Sequence, residues 1–445
     1  MRSTLFVIPH EIAGLPVLGL GWALIVWSLV TLGLWGWWIR KRGFTPEFWS
    51  IVPFPLMIAA AIALLLPRLE LIDAKSLPIG LPIRGYGVML MLATVSGVGI
   101  SAWRAQKLGI DPEKIYELAV WMFAAGIIGA RLFYVIQYSE DFKRGTIVET
   151  LQAIANIQQG GLVVFGALLA AIPAAFFLIR RYKLPFLAVA DIITPGMLVG
   201  QAVGRLGCFL HGCCFGGICD IDSVAVTFPQ ESPPYVRHLE MGWKSGVWLD
   251  RENLTSDSTT DRVVVAKVEK NSAAERAGLK AGQQIISIGG KSLTSLDEAR
   301  AQLARVRTSY EVTTSKGDVL RWTIKALPAR SAPIHPTQIY SAIDAFLLAL
   351  VLWNYFPFRR HDGEVFALLL IIHPISRFVL ELIRADEGGQ FGTSFTISQL
   401  LGFALMAAGV ALLAYLELYR RGTPVFGQSL PPAKQAAGSS SAVAT

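Results

Sequence analysis

The segment GQAVGRLGCFLHGCCFGG, Gly200 to Gly217, closes an apolar run yet holds Arg205, Cys208, His211, Cys213 and Cys214. A guanidinium offers paired donors that suit a phosphate. An imidazole exchanges protons near neutral pH, and thiols can pair with one another or ligate soft metals. A second group, His373, Arg377, Glu381 and Arg384, follows the spacing i, i+4, i+8 and i+11, which lines one stripe of a helix. Arg84, Tyr86, Arg131, Asp191, His335 and Asp344 also lie inside or at the ends of apolar runs. An ionisable group at the centre of a span costs about 2.5–3.5 kcal/mol on insertion scales, so each is a candidate for function. An Arg377–Glu381 pair could simply lock two helices together, but four polar groups on one stripe point to a lined cavity.

The elements that position these groups follow from composition. The 445 residues are 53% hydrophobic and 16% charged, with a mean hydropathy of +0.49, which excludes an ordinary soluble enzyme. The net charge of +8 comes in short clusters between apolar runs, such as Arg40-Lys41-Arg42, so it reports topology and no nucleic-acid partner is expected. Crossing about 30 Å of hydrocarbon takes roughly 17 to 25 residues. Nine runs qualify: about 15–39, 50–67, 85–103, 117–137, 160–179, 186–207, 336–356, 364–383 and 396–418. Basic clusters follow the first, third, fifth, seventh and ninth runs, including Arg180-Arg181, Arg359-Arg360 and Arg420-Arg421. The positive-inside rule therefore sets the N-terminus outside and the C-terminus inside, with all four cysteines on the outer side. The first run is too long for a signal-peptide core and reads as a span.

Between the sixth and seventh runs the composition turns polar. Residues 221–260 read as an outer-side linker. Over 261–327, strand-like RVVVAKV, QQIISIGG and LRWTIKAL alternate with the helical patterns SAAERAG and LDEARAQLA, with Gly278, Gly282, Gly289 and Gly290 at tight turns. This resembles a PDZ domain, which implies binding of an extended peptide by strand addition. A spacer that only packs on the membrane part is the alternative. Residues 422–445 read as a disordered cytoplasmic tail.

The motifs IRGYGVML, GARLFYV, GGLVVFGALL, VADIITPGMLVGQAVGRLG, HPTQIYSA, SRFVLELIRAD and SQLLGFALMAAG occur in the order found in the prolipoprotein diacylglyceryl transferase family. The resemblance covers about Leu81 to Arg421 apart from the insert, with a core at 81–220 and 331–421 and two further spans in residues 1–80. It implies a polytopic α-helical membrane protein of the bacterial inner membrane, a seven-span transferase core with two additional N-terminal spans, nine in all, and an inserted α/β PDZ-like domain. It also implies transfer of a diacylglyceryl group from phosphatidylglycerol to the lipobox cysteine of a prolipoprotein precursor. By the same resemblance Arg205, in a G-R-x-G turn with Gly204 and Gly207, binds the lipid phosphate, the glycines letting backbone amides approach it. Arg377, Glu381 and Tyr86 match further active-site residues.

Departures from the family pattern leave the base open. The family's asparagines and glutamate after G-R-x-G are replaced by Cys208, His211 and Cys213, and Phe165 stands where better-studied members carry a histidine. His373 stands where a tyrosine is usual. The acceptor thiol is then activated by His211, by His373 or by the arginines alone. No cofactor or metal is expected, because the C-x4-C, C-C and C-x4-C spacings fit no standard zinc pattern. A disulfide such as Cys214–Cys219 or Cys208–Cys213 suits the oxidising side. Two other function classes stand beside the transferase. A non-catalytic lipid- and precursor-binding scaffold would keep the same arginines, and a PDZ-containing regulator of a membrane protease has no H-E-x-x-H here, since HEIAG at His10 lacks the second histidine.

Overall fold

The structure, a computed structural model, describes residues 4–72, 77–142, 146–155, 161, 163–219, 221, 224–243, 245–251, 262–305, 308–324, 328–384, 395–419 and 425–426. In chain order its first elements are β1 (Thr4–Pro9), β2 (Glu11–Ile12), β3 (Leu15–Pro16), α1 (Trp22–Arg42), α2 (Pro46–Ile51) and α3 (Pro53–Leu64). Then come β4 (Leu71–Ile72), β5 (Pro78–Arg84), α4 (Gly85–Lys107), α5 (Pro112–Gln137), α6 (Ser139–Phe142), α7 (Ile147–Ala155), α8 (Val164–Arg181) and α9 (Phe186–His211). The insert holds α10 (Pro233–Glu240), β6 (Val247–Arg251), β7 (Val263–Val268), α11 (Ala273–Arg276), β8 (Gln284–Ile288), β9 (Lys291–Ser292), α12 (Leu296–Arg305), β10 (Ser309–Thr314) and β11 (Val319–Thr323). The chain closes with α13 (Thr337–Tyr355), α14 (Glu364–Glu381) and α15 (Ile397–Tyr419).

Helix occupies each of the nine apolar runs, and among the described residues seven helical stretches are long and apolar enough to cross a membrane. The helices at the fifth and eighth runs, α8 and α14, have 18 residues each, and α14 carries Glu364, Arg377 and Glu381. The first helix starts at Trp22 and not near Leu15. Leu15–Pro16 instead closes a small hairpin with Glu11–Ile12, because Pro16 and the left-handed Gly14 and Gly19 (φ +78° and +76°) break the helical pattern. Arg420 and Arg421 lie outside the described residues, as do residues 427–445. Phe426, within the stretch expected to be disordered, is held: its N–H donates to Asp362 and its carbonyl accepts from Arg359 Nη2 at 2.7 Å.

The chain divides into two compact units. One comprises residues 1–89, 210–213 and 228–332. It contains a three-stranded antiparallel sheet in the order β1-β5-β4 and, from the insert, a second sheet in the order β11-β10-β8-β7-β6 with β9 beside β8. Alternating apolar residues of these strands close a core with α12, in which Val265, Ile288, Val312, Ala299 and Leu303 are fully buried. The strand β6 comes from the stretch read as a linker. Its VWLDR sequence pairs antiparallel with β7 from Val247↔Val268 to Arg251↔Val263, so the folded insert starts before residue 261.

The other unit comprises residues 90–209, 214–227 and 333–445. Small residues set its helix packing. A Cβ at Gly196 of α9 would fall 2.5 Å from Gly97 O of α4, and one at Gly200 would fall 2.9 Å from Ala93 O. Lipid supplies no hydrophobic force between helices, so such close backbone approach is what holds a pair together. α5 and α8 meet the same way, with Gly129 and Gly166 leaving 2.4 Å to the facing carbonyls. Where α9 begins, Asp191 is fully buried and accepts the N–H groups of Gly363 and Phe366 at 2.7 and 2.8 Å, with Arg359 Nε 3.7 Å away.

Candidate active site

α9 runs without a break through GQAVGRLGCFLH, so the G-R-x-G stretch is helix and not a turn. Interior amides of a helix are already bonded to carbonyls four residues back. Gly204 and Gly207 therefore have no amides free to cradle a phosphate. Gly207 is buried, and Gly204 faces α4, where an added Cβ would stand 3.9 Å from Ala93 Cβ. The half-buried guanidinium of Arg205 is the cationic donor that this part of α9 offers. The turn begins afterwards, with Gly212 at φ +87° and Cys214 at φ +56°.

Beyond it, Cys214 to Gly217 is laced into two other motifs. Thr337 Oγ1 donates to Cys214 O at 2.8 Å. Gly216 N–H donates to His335 O at 3.1 Å, His335 N–H to Gly217 O at 3.0 Å, and Gly217 N–H to Ile383 O at 2.9 Å. A Cβ on Gly216 would come within 2.7 Å of His335 Cβ and 2.8 Å of Thr337 Cγ2, so only glycine fits. Three segments far apart in sequence thus meet through backbone. Cys208 and Cys214 bring their thiols within 4.8 Å of each other. Cys219 is a buried free thiol whose Sγ donates to Ile221 O at 3.6 Å, so a Cys214–Cys219 disulfide is not formed.

The stripe on α14 forms an ion cluster. Arg377 Nη1 lies 2.5 Å from Glu381 Oε2, and Arg384 Nη1 approaches the same oxygen at 3.4 Å. Arg377 Nη2 also donates to Ser398 of α15 at 3.4 Å. The Glu381 side chain is only 1% exposed, which places its charge in a poorly solvated setting where attraction to a cation is strong. His373, one turn before Arg377, has Asp344 of α13, Arg377 and Arg205 of α9 within electrostatic reach. Four helices therefore converge on this stripe, and Arg205, His373, Arg377 and Glu381 all belong to the same unit. The opposite side of α14 borders an apolar groove of about 220 Å³ lined by Pro374, Phe378, Val379, Gly402, Phe403 and Met406.

Tyr86 and His211 belong to the other compact unit, where their exposed rings stand 5.9 Å apart, centroid to centroid. Phe165 lines a crevice with Tyr134 and Tyr138 and no imidazole. Arg131 is structural, since its guanidinium collects the carbonyls of Ala153, Ile154 and Gly161 at 2.8–3.1 Å. Sequence reading flagged Asp344 as an ionisable residue in a span but gave it no role, and it passed over Ser376, Thr337 and Gly216.

A family model described as prolipoprotein diacylglyceryl transferase matches residues 74–415, leaving α1 to α3 outside the match. The phosphatidylglycerol–prolipoprotein diacylglyceryl transferase of Rhodopirellula baltica is 36% identical over 93% of this chain and 89% of its own length. A protein of the same description from Clostridium tetani is 23% identical over 72% of this chain and 90% of its own length. Another, from Thermosynechococcus vestitus, is 32% identical over 38% of this chain and 64% of its own.

Proposed function

Because the chain belongs to the prolipoprotein diacylglyceryl transferase family, we propose that it moves a diacylglyceryl group from phosphatidylglycerol onto the lipobox cysteine of a secreted precursor, releasing glycerol phosphate. The observation that carries this reading is that one unit brings Asp344, Arg377 and Arg205 within electrostatic reach of His373 and joins Arg377 and Arg384 to Glu381 further along α14. Three arginines against two carboxylates leave one positive charge, which matches the single negative charge of a phosphodiester. Arg205 and Arg377 bind the phosphate and stabilise the charge that grows on it as the glycerol phosphate leaves. The apolar groove beside α14 suits an acyl chain. Tyr86 is proposed as a further active-site residue on the family match alone, and His211 on its sequence position after G-R-x-G alone.

The test incubates purified protein with phosphatidylglycerol and a lipobox peptide and follows the thioether product by mass. Lipid retention without product would favour the scaffold reading, in which the absence of an imidazole at Phe165 has abolished transfer.

The finer topology of this reading has nine spans in the inner membrane, the N-terminus outside, the C-terminus in the cytoplasm and the insert on the outer side. A periplasm-dependent reporter fused near Ser295 is expected to be active there. Activity confined to the cytoplasm would overturn the topology.

For the insert, the β11-β10-β8-β7-β6 order with α12 flanking the edge strand supports a PDZ-like peptide site. Arg300 of α12 already reaches Leu249 O of β6 at 3.2 Å. Holding a precursor segment there raises its effective concentration without touching the chemistry. Replacing residues 247–324 with a short Gly/Ser linker is therefore expected to raise KM for whole precursors about tenfold or more and to leave short lipobox peptides unaffected. Equal loss on both would assign the insert a structural role.

A further inference from the structure

Ser376 stands on α14 one turn after His373, and its Oγ donates to Asp344 Oδ2 of α13 at 2.8 Å while lying 3.1 Å from His373 O. The serine therefore ties the Asp344 carboxylate to the helical turn that carries the imidazole. His373 Nδ1 is itself buried and makes no hydrogen bond to any of the described residues. Charges face the ring from three helices: Asp344 from α13, Arg377 from α14 itself and Arg205 from α9. α15, which also packs on α14, carries no charged residue before Glu417. Two guanidiniums and one carboxylate therefore make up the charged surroundings of the ring. The crevice at Phe165 supplies no alternative imidazole.

We infer that Asp344, anchored by Ser376, is a positioning residue that makes His373 the proton acceptor for the precursor's cysteine thiol; this rests on the transferase reading above. The thiol proton passes to the imidazole, and the sulfur attacks the C3 methylene of the diacylglyceryl group. A C–S bond forms as the C–O bond to phosphate breaks. Glycerol phosphate leaves with that electron pair and then takes the proton back from the imidazolium. Asp344 touches no reacting atom; it places a fixed negative charge beside the ring that does.

The experiment measures thioether formation by the full-length protein, with phosphatidylglycerol and a lipobox peptide, from pH 6 to 9. Wild-type product formation establishes the transferase reading independently, and its absence would refute that reading and this inference together. Asp344→Asn is expected to slow transfer about 10–100-fold at pH 6. The loss should fade toward pH 9 as the thiol, with an ordinary pKa near 8.5, ionises unaided. KM for phosphatidylglycerol should hold, Asp344→Glu should recover most of the rate, and Asp344→Asn should add no further loss to His373→Asn. A loss equal at every pH, or one that adds to His373→Asn, would overturn the inference. Should Asp344→Asn fail to fold, Ser376→Ala decides the matter, because it frees the same carboxylate without removing it. A several-fold loss at pH 6 that fades by pH 9 upholds the inference, and an unchanged rate at pH 6 refutes it.

Discussion

Arg205→Ala is expected to lower diacylglyceryl transfer by about 10²–10⁴-fold, the equivalent of two charge-assisted hydrogen bonds at roughly 1.5–3 kcal/mol each. The helical course of α9 through Gly204 and Gly207 makes the effect this large, since no backbone amide in that stretch is free to take over the phosphate. The end of α9 nearer Arg205 is also its C-terminal end, where the helix dipole disfavours an anion. The guanidinium has to supply the whole attraction on this helix. Arg205→Lys keeps the charge but not the paired geometry, so it should restore only part of the rate. Lipid co-purifying with each variant, quantified by mass, separates binding from chemistry. Wild-type turnover in the alanine variant would remove Arg205 from the site.

Glu381→Gln is expected to cost both stability and activity. Its carboxylate holds Arg377 at 2.5 Å and Arg384 at 3.4 Å with its own side chain almost fully enclosed. Removing one partner of such a buried pair leaves an uncompensated charge, which costs about 3–5 kcal/mol. The glutamine preserves volume, so packing is spared and the charge alone is tested. Transfer should fall about 100-fold or more as Arg377 loses its fixed direction, and the melting temperature should drop in parallel. An unchanged melting temperature with normal transfer would mean that Arg377 is oriented by Ser398 instead.

Most of the membrane helices were legible because apolar run length is set by bilayer thickness: all nine runs hold helix, and seven helical stretches among the described residues are long and apolar enough to span. The α14 stripe was legible for a similar reason, since spacing along one helix reports one face. What was not legible depends on contacts between distant segments. Asp344 and Ser376 are 32 residues apart on different helices, so no spacing rule connects them. The strand β6 was hidden in a polar stretch, and only its partner β7 makes it a strand. The glycines of G-R-x-G suggested a turn because glycine breaks helices in water. Here Gly196, Gly200 and Gly204 form the smooth side of a helix facing α4, a use of glycine that only packing in lipid explains.

The amide bonds to Asp191 also bear on how the protein is made. Its carboxylate enters the membrane with α9, but one of its partners, Gly363 N–H, is 172 residues further along the chain. At about 5–20 residues per second of synthesis, the ribosome needs roughly 10–30 s to deliver that partner. Most of that interval is occupied by the insert between α9 and α13. The nascent chain must therefore carry this acid without its final amide partners while an entire polar domain is translated. Seating α14 against α9 is for this reason a late event in biogenesis, and a chain truncated before residue 363 would leave α9 without its anchor.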